Sequence, residues 1–407
     1  MERLSQALAS VIRTPVRDVL AEEWICVQSR GMKQWLSIQL AEQFGICANT
    51  RFAFPKEMIE HVVKSVLHLP AETQWLSQDR LFWRILHQLQ HYAFCPELSP
   101  IHAYIQDDDT GKKQYQLAVK LSRIFDNYLI YRPDMIQDWG LPPGRGNKGS
   151  DPAVQWQSFL WQQIRPEKPE DLLPGKMQEA LQQMSDARAL PDGLPERIVL
   201  FGISTLPPLF LQMLHTLSRW TDVHLFLLVP SNQYFFDIPS RKQIEKMALA
   251  HDQPADADLL HFDMGNPLLS SMGQAGKAFF EQIESFDYQE PLPDLFEDPQ
   301  DRSRSMLATL QSDIFNLVYR QKDGNHGLLP LDAADQSIRI HACHSPMREA
   351  QVLKDLLLDA LEDDPGLDLH DIVVMMPDVE AYAPFIQAVF SLENALEFTI
   401  SDRKKIS

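Results

Sequence analysis

The chain has 407 residues, 44% of them hydrophobic, enough for two or three domains with cores of their own. Its formal net charge of -19 is unlike that of a free-standing nucleic-acid binder, so any contact with DNA must use local basic or polar surface, or a partner. Cys26, Cys47, Cys95 and Cys343 form no Cys-x-x-Cys pair, which offers no zinc spacing and fits a reducing, cytoplasmic setting. No apolar signal core opens the sequence, and no run approaches about 18 consecutive apolar residues, so no membrane span is expected.

Leu4, Leu8, Val11 and Ile12 repeat at helical spacing, and Trp24 to Val27 reads as a short buried strand. After Gln28-Ser29-Arg30-Gly31 a second helix carries Trp35, Leu36, Leu40 and Phe44, and Gly45 stops it. Strand, turn and helix make the unit of a parallel α/β sheet. Residues 56–136 are predicted almost wholly helical, with Leu81, Ile85 and Leu89, then Leu117, Leu121, Ile124, Phe125, Tyr128 and Leu129, at spacings of three and four. Trp75, Trp83, Trp139, Trp156 and Trp161 fall in or near this block and read as bundle core rather than as a base-stacking platform. Residues 141–152 and 165–175 are rich in Pro, Gly and charge and read as loops.

The α/β pattern resumes with a buried strand from Ile198 to Ile203. Pro207 and Pro208 open a helix with Leu211, Leu214 and Leu217, and Val223 to Val229 forms another strand, ended by Pro230. The helical layer therefore reads as an insertion into one sheet. Residues 231–262 look irregular, and the acidic, proline-bearing stretch 287–304 reads as a linker. A further unit starts near Ser337: a strand from Ile338 to His341, a helix capped by Ser345 with Pro346 at its first position, and a strand from Ile372 to Met376. Such a βαβ unit is expected to be parallel and right-handed. Phe398-Thr399-Ile400 would be the next strand, and so little sheet remains that a fragment of a longer protein is expected.

Two α/β units with a helical insertion in the first invite a search for an ATP site. A phosphate loop needs Gly-x-x-x-x-Gly-Lys-Ser/Thr, so that backbone N–H groups, the lysine and a hydroxyl on magnesium converge. Gly111-Lys112, Gly175-Lys176 and Gly276-Lys277 are followed by Lys, Met and Ala, and the Gly144–Ser150 stretch has the composition in the wrong order. No Asp-Glu dipeptide occurs, and the strand end where a magnesium-binding acid would stand reads Gly202-Ile203-Ser204. No Glu-x-Lys of a metal-dependent nuclease is present. His341-x-Cys343-His344 reads as strand-end residues beside a helix cap, and Asp107-Asp108-Asp109 as a solvated loop. No catalytic residue, metal site or cofactor is expected in this chain.

Val27-Gln28-Ser29-Arg30-Gly31-Met32-Lys33-Gln34-Trp35-Leu36 through Phe44-Gly45-Ile46 resembles the RecC family, the gamma subunits of exodeoxyribonuclease V. So do Ile124 to Pro133, Phe201-Gly202-Ile203-Ser204 with Leu206-Pro207-Pro208, Gly265-Asn266-Pro267-Leu268-Leu269, His341 to Glu349 and Asp371 to Phe390. The resemblance implies an inactive superfamily-1 helicase-like fold. A RecA-like parallel-sheet domain with a helical insertion would be followed by the start of a second RecA-like domain. The implied division is 1–70 and 191–330 for the first domain, 71–190 for its insertion and 331–407 for the beginning of the second. It also implies a cytoplasmic, non-catalytic subunit of the RecBCD helicase–nuclease, partnered by RecB and RecD, which would hold the ATP and magnesium. Such a subunit splits double-stranded DNA ends, guides single strands and recognises Chi, in double-strand break repair and homologous recombination.

By the same resemblance Gln28, Arg30, Gln34, Asp126, Asn127 and Arg132 are the DNA- and Chi-binding candidates. Amide side chains can read base edges bidentately, and Arg can read guanine or hold phosphate. Arg30 stands where the family has a small hydroxyl residue, Arg123 where it has an acid, and Glu60 where it has an aromatic. The family also begins with a strand that this chain lacks, which predicts either an open edge or a gap in the first sheet. An active ATPase-nuclease subunit of the AddB type and a purely structural adaptor for RecB and RecD are the alternative readings.

Overall fold

The computed structural model describes residues 1–18, 20–91, 95–141, 151–166, 172–186, 193–236, 238, 246, 265–290, 295–320, 329–330, 332–391 and 396–400. Two compact units divide the chain: Met1–Gln28 with Cys47–Leu228 and Ala275–Leu292, and Ser29–Ile46 with Val229–Gln274 and Pro293–Ser407. No helix among the described residues is long and apolar enough to cross a membrane. The loop expectations over 142–150, 167–171 and most of 231–262 lie outside the described residues.

The first unit is α/β, built on a parallel sheet of β1 (Glu23–Val27), β2 (Thr50–Ala53), β3 (Arg197–Phe201) and β4 (Asp222–Phe226), in the order β2-β1-β3-β4. The two central strands are the two with unbroken apolar runs, Trp24 to Val27 and Ile198 to Phe201, as a strand covered on both faces requires. The edges β2 and β4 bury little. β1 pairs directly with β3, Trp24 opposite Ile198, so the described sheet has no gap between its central strands. Two strand expectations are corrected: the strand predicted to run to Ile203 ends at Phe201, and the one predicted to reach Val229 ends at Phe226. β2 carries no apolar run that would announce it and is not expected from the sequence.

In chain order the helices are α1 (Glu2–Ile12), α2 (Arg30–Phe44), α3 (Pro55–Val66), α4 (Gln78–His91), α5 (Ser99–Ile105), α6 (Lys112–Tyr131), α7 (Pro133–Gly140), α8 (Pro152–Ile164), α9 (Leu173–Asp186) and α10 (Pro208–Leu217). They continue with α11 (Pro267–Met272), α12 (Gln274–Glu284), α13 (Met306–Phe315), α14 (Pro346–Asp363) and α15 (Val379–Phe390). Two cores fill the first unit. One packs Trp24, Cys26, Ile198 and Leu200 of the sheet against α3, α9 and α10. The other is the helical layer, where Leu81, Ile85 and Leu89 of α4 meet Leu121, Phe125 and Leu129 of α6 and Trp161 of α8. Phe125 and Trp161 stack at 5.8 Å, and each such fully buried side chain contributes roughly 1.5–3 kcal/mol. Trp139 and Trp161 are thus core, as their spacing predicts. Trp75 lies in the sheet core instead, and Trp83 is 67% exposed.

A buried ion pair fastens the N-terminal helix to the sheet. Arg197 donates to the Val11 and Thr14 carbonyls at 2.6 and 2.7 Å, and to the Glu23 carboxylate at 2.9 Å. The guanidinium thereby ties down the backbone at and just past the end of α1, where the Val11 carbonyl also accepts from Thr14 N–H at 3.2 Å. Burial pushes the Glu23 carboxyl above its ordinary range, and the neighbouring Arg197 opposes that rise.

The second unit holds its helices by caps. The Ser29 hydroxyl accepts from Met32 N–H at the start of α2, and Gly45, with φ of 79°, ends it in the left-handed region. Asn266 caps α11 by accepting from Leu268 and Leu269 N–H, while its amide donates to the Val318 carbonyl. Ser345 caps α14 with Pro346 at the first position, as the sequence predicts. Ala350, Leu353 and Leu357 of α14 pack against Ile386, Val389 and Phe390 of α15.

The strands expected at Ile338–His341, Ile372–Met376 and Phe398–Ile400 are not formed. Ile340, Val373 and Met375 are 92%, 78% and 87% exposed. The reason is physical: a helix closes its hydrogen bonds within itself, whereas a parallel strand needs a neighbour of matching register. The helices of the expected βαβ pattern therefore stand without its ladder.

Candidate nucleic-acid interface

Gln28 follows β1 directly, at the C-terminal edge of the central strands. Its amide oxygen accepts from the Ser204 hydroxyl at 3.0 Å and from Ser204 N–H at 3.4 Å. Ser204 comes just after β3, beyond Gly202, which takes φ of 63° to turn the chain at the strand end. In open α/β sheets this carboxyl edge is where ligands bind. Here it carries an amide and a hydroxyl.

Asp126 and Asn127 sit on α6, and Arg132 closes it. Phe125 and Leu129 face the core, so Asp126 is half-buried and Asn127 and Arg132 are exposed. The Asp126 carboxylate accepts from Lys56 Nζ of α3 at 3.4 Å. The pair borders an open recess lined by Trp75, Leu129, Ile130, Met177 and Phe210. Within it the buried Trp75 indole N–H has no hydrogen-bond partner among the described residues. Arg30 and Gln34 stand in the first turns of α2, in the second unit. Both are exposed, and their spacing of four places them on one helix face.

The six candidates thus divide. Gln28 is tied to Ser204 and Asp126 to Lys56, while Asn127, Arg132, Arg30 and Gln34 present their side chains to solvent. Lys56 escaped the sequence reading, because residues 70 positions apart leave no periodic trace of their pairing, while Trp75 reads in the sequence as bundle core rather than as part of this recess. Ser204 was within reach: it stands at the strand end already singled out for its missing acid. Glu60 of α3 is half-buried. Burial pushes its carboxyl up, and Lys56 and Lys64 counter that. Arg123 is exposed on α6. His341, Cys343 and His344 form no ligand cluster. Among the described residues only the exposed Asp368, His370 and Asp371 come within ligand reach of one another, and the Asp371 carboxylate there accepts from Asp368 N–H as part of a turn.

Residues 1–317 match the family described as RecC, N-terminal domain. The chain is 33% identical to RecBCD enzyme subunit RecC of Escherichia coli (strain K12), over 97% of this chain and 38% of that protein. It is 30% identical to RecBCD enzyme subunit RecC of Haemophilus influenzae, over 99% of this chain and 40% of that protein. Against the subunit of the same name from Mycolicibacterium smegmatis the identity is 29%, over 97% and 34%. The chain spans about two fifths of the length of these relatives. With more than three quarters of its residues inside the family match, the chain belongs to the RecC family.

Proposed function

We propose that this chain is the helicase-shaped, non-catalytic part of a RecBCD-type subunit that guides DNA strands and reads sequence on the single strand. In this reading the fold is an inactive superfamily-1 helicase core, with a second RecA-like domain beginning near residue 331. RecB and RecD are its partners and carry the ATP and magnesium. The substrates are double-stranded ends and the single strands split from them, and the setting is recombinational repair in the cytoplasm.

The observation that carries this reading is the Gln28–Ser204 pair at the C-terminal edge of β1 and β3. A motor would need a lysine loop and magnesium-binding carboxylates at this edge. An amide and a hydroxyl suit recognition, since they can donate and accept without transferring phosphate. Arg30, Gln34, Asn127 and Arg132 are exposed donors with the chemistry to read base edges or hold phosphates. Asp126, held by Lys56, acts in this reading by orienting that lysine and the end of α6.

The test uses the full subunit assembled with its partners. Arg132→Ala should weaken single-strand binding across sequences and reduce the dependence of log affinity on log salt by about one unit. Gln34→Ala and Asn127→Ala should blunt the response to the recognised sequence while leaving unwinding intact. An unchanged hotspot response in both variants would favour a structural adaptor. ATP turnover abolished by a substitution within this chain would favour an AddB-type motor.

A further inference from the structure

Trp83 departs from the pattern that its neighbours follow. Of the eight tryptophans, it alone is exposed. The helix explains why: α4 buries Leu81, Ile85 and Leu89 at spacings of four. Two residues after Leu81, at about 100° per residue, Trp83 points to the opposite side. Trp83 is not alone there. Phe82, packed on the helical core, contacts Trp83 edge-to-face at 5.0 Å and Tyr115 of α6 at 5.3 Å. Phe82 anchors the pair, yet Trp83 and Tyr115 remain 67% and 56% exposed. Two large aromatic side chains held together in water mark an interaction surface.

The charge around them identifies the kind of partner. In a chain of net charge -19, α4 and α6 together carry six basic residues (Arg80, Arg84, Lys112, Lys113, Lys120, Arg123) against two acidic ones, Asp79 and Asp126. That is a charge of +4 on the two helices, set against the Asp107-Asp108-Asp109 run before α6, whose Asp108 carboxylate is occupied by Gln114 N–H and the Thr110 hydroxyl; Asp126 is already engaged by Lys56. Lys113 is also engaged, donating to the Tyr104 carbonyl and lying over that ring. Lys112 and Lys120 have no ion-pair partner among the described residues, and with Gln116 they recur every four positions along the exposed side of α6. Cations without an ion-pair partner among the described residues, on the helix that carries Tyr115, suit a polyanion whose bases are free to stack, which a duplex does not offer.

We propose that Trp83 and Tyr115, with Lys112 and Lys120, form a stacking platform for single-stranded nucleic acid. It rests on the strand-guiding reading above but uses none of Gln28, Arg30, Gln34, Asp126, Asn127 or Arg132. The platform would take bases without regard to sequence, because every base has a π-face.

The test is a titration of the full chain with an oligothymidine, followed by tryptophan fluorescence and by anisotropy of a labelled oligomer. Stacking on Trp83 should quench the emission, and Trp83→Phe should abolish that quench while retaining binding. Trp83→Ala should weaken binding about 5- to 150-fold, the range for losing one base stack. Lys112→Gln with Lys120→Gln should flatten the salt dependence, and Trp83→Ala should leave it unchanged. These positions lie outside the core, and unaltered far-ultraviolet dichroism would show that the variants fold. Binding of the wild type without quenching, or full affinity in Trp83→Ala, would overturn the platform. So would an equal affinity and quench with blunt duplex. Full oligomer affinity in Trp83→Ala together with lost assembly with a partner subunit would mark a protein-docking surface instead. If Arg132→Ala weakens binding and Trp83→Ala does not, the platform fails and the strand-guiding reading stands. The reverse result retains the platform and removes the assigned site. No binding by the wild type at low salt removes both.

Discussion

Two stretches of the molecule with the same kind of sequence end in opposite states. Ile198 to Phe201 is an apolar run, fully buried and hydrogen-bonded on both sides. Ile372 to Met376 is an equally apolar run, yet Val373 and Met375 are mostly exposed and no ladder forms. The difference is the neighbours. β3 has β1 and β4 in register with it, whereas the second run has no pairing strand among the described residues. Apolar character makes a segment suitable for a sheet interior, but only pairing makes it a strand.

The largest test of this contrast attacks the closed region. Arg197→Ala removes the clamp on α1 and leaves the Glu23 carboxylate buried without its cation. A loss on the order of 3–5 kcal/mol in urea unfolding is expected. Next, Ile198→Ala should cost about 2–5 kcal/mol, while Val373→Ala should stay within about 0.5 kcal/mol. Equal losses at the two positions would break the comparison. Amide exchange gives the same contrast without mutation: slow across β1 and β3, fast across residues 338–343 and 372–376.

A smaller effect probes whether the helices of the open region stand by local bonds. Ser345→Ala deletes the hydroxyl that accepts from Arg348 N–H and should cost α14 about 1 kcal/mol. The loss should be read from exchange within α14.

The smallest effect depends on pH and belongs to the closed region. His61 of α3 stacks on Trp24 at 4.3 Å, and its Nε2 lies 3.1 Å from the Gly193 carbonyl. Burial, helped by the nearby Arg51 and Lys64, holds its pKa below the ordinary 6.5. The fold therefore prefers the neutral ring. Its contribution is complete above about pH 6.5 and declines as the pH falls below that value towards the folded pKa. His61→Gln lacks this titration, so the stability of the wild type relative to the variant should shrink between about pH 7.5 and about pH 5.5. Parallel curves would show that the site accommodates the charged ring.

Much of this architecture is legible in the sequence because it is local or strongly patterned. The spacing of Leu81, Ile85 and Leu89 predicts α4, and Ser345-Pro346 marks the start of α14. Continuous apolar runs locate β1 and β3. β2 is hidden because Thr-Arg-Phe-Ala buries a single residue, Ala53, and is made a strand by the adjacent β1. The loop expected to run to residue 175 gives way to α9 at Leu173, because Leu173 and Pro174 are buried in the sheet core rather than solvated. Trp83 is misread as core because a large apolar residue within a helical block invites that assignment. Only its phase relative to Leu81, Ile85 and Leu89 separates inside from outside.

The direct pairing of β1 with β3 also has a consequence for the order in which the chain can fold. Glu23 and Arg197 meet across 174 positions, and the whole helical layer lies between them. Closing so long a loop in an open chain is slow, because its entropy must be lost before any long-range contact forms. The helical layer shortens that search: its core joins α4, α6 and α8 through contacts nearer in sequence, so it can condense first and bring the two ends together. During synthesis β1 and β2 leave the ribosome long before β3 exists, and the apolar face around Trp24 and Cys26 must wait uncovered. The sheet that anchors the first unit thus closes only after the helical layer, and the interval before β3 arrives is when the nascent chain most needs protection from aggregation.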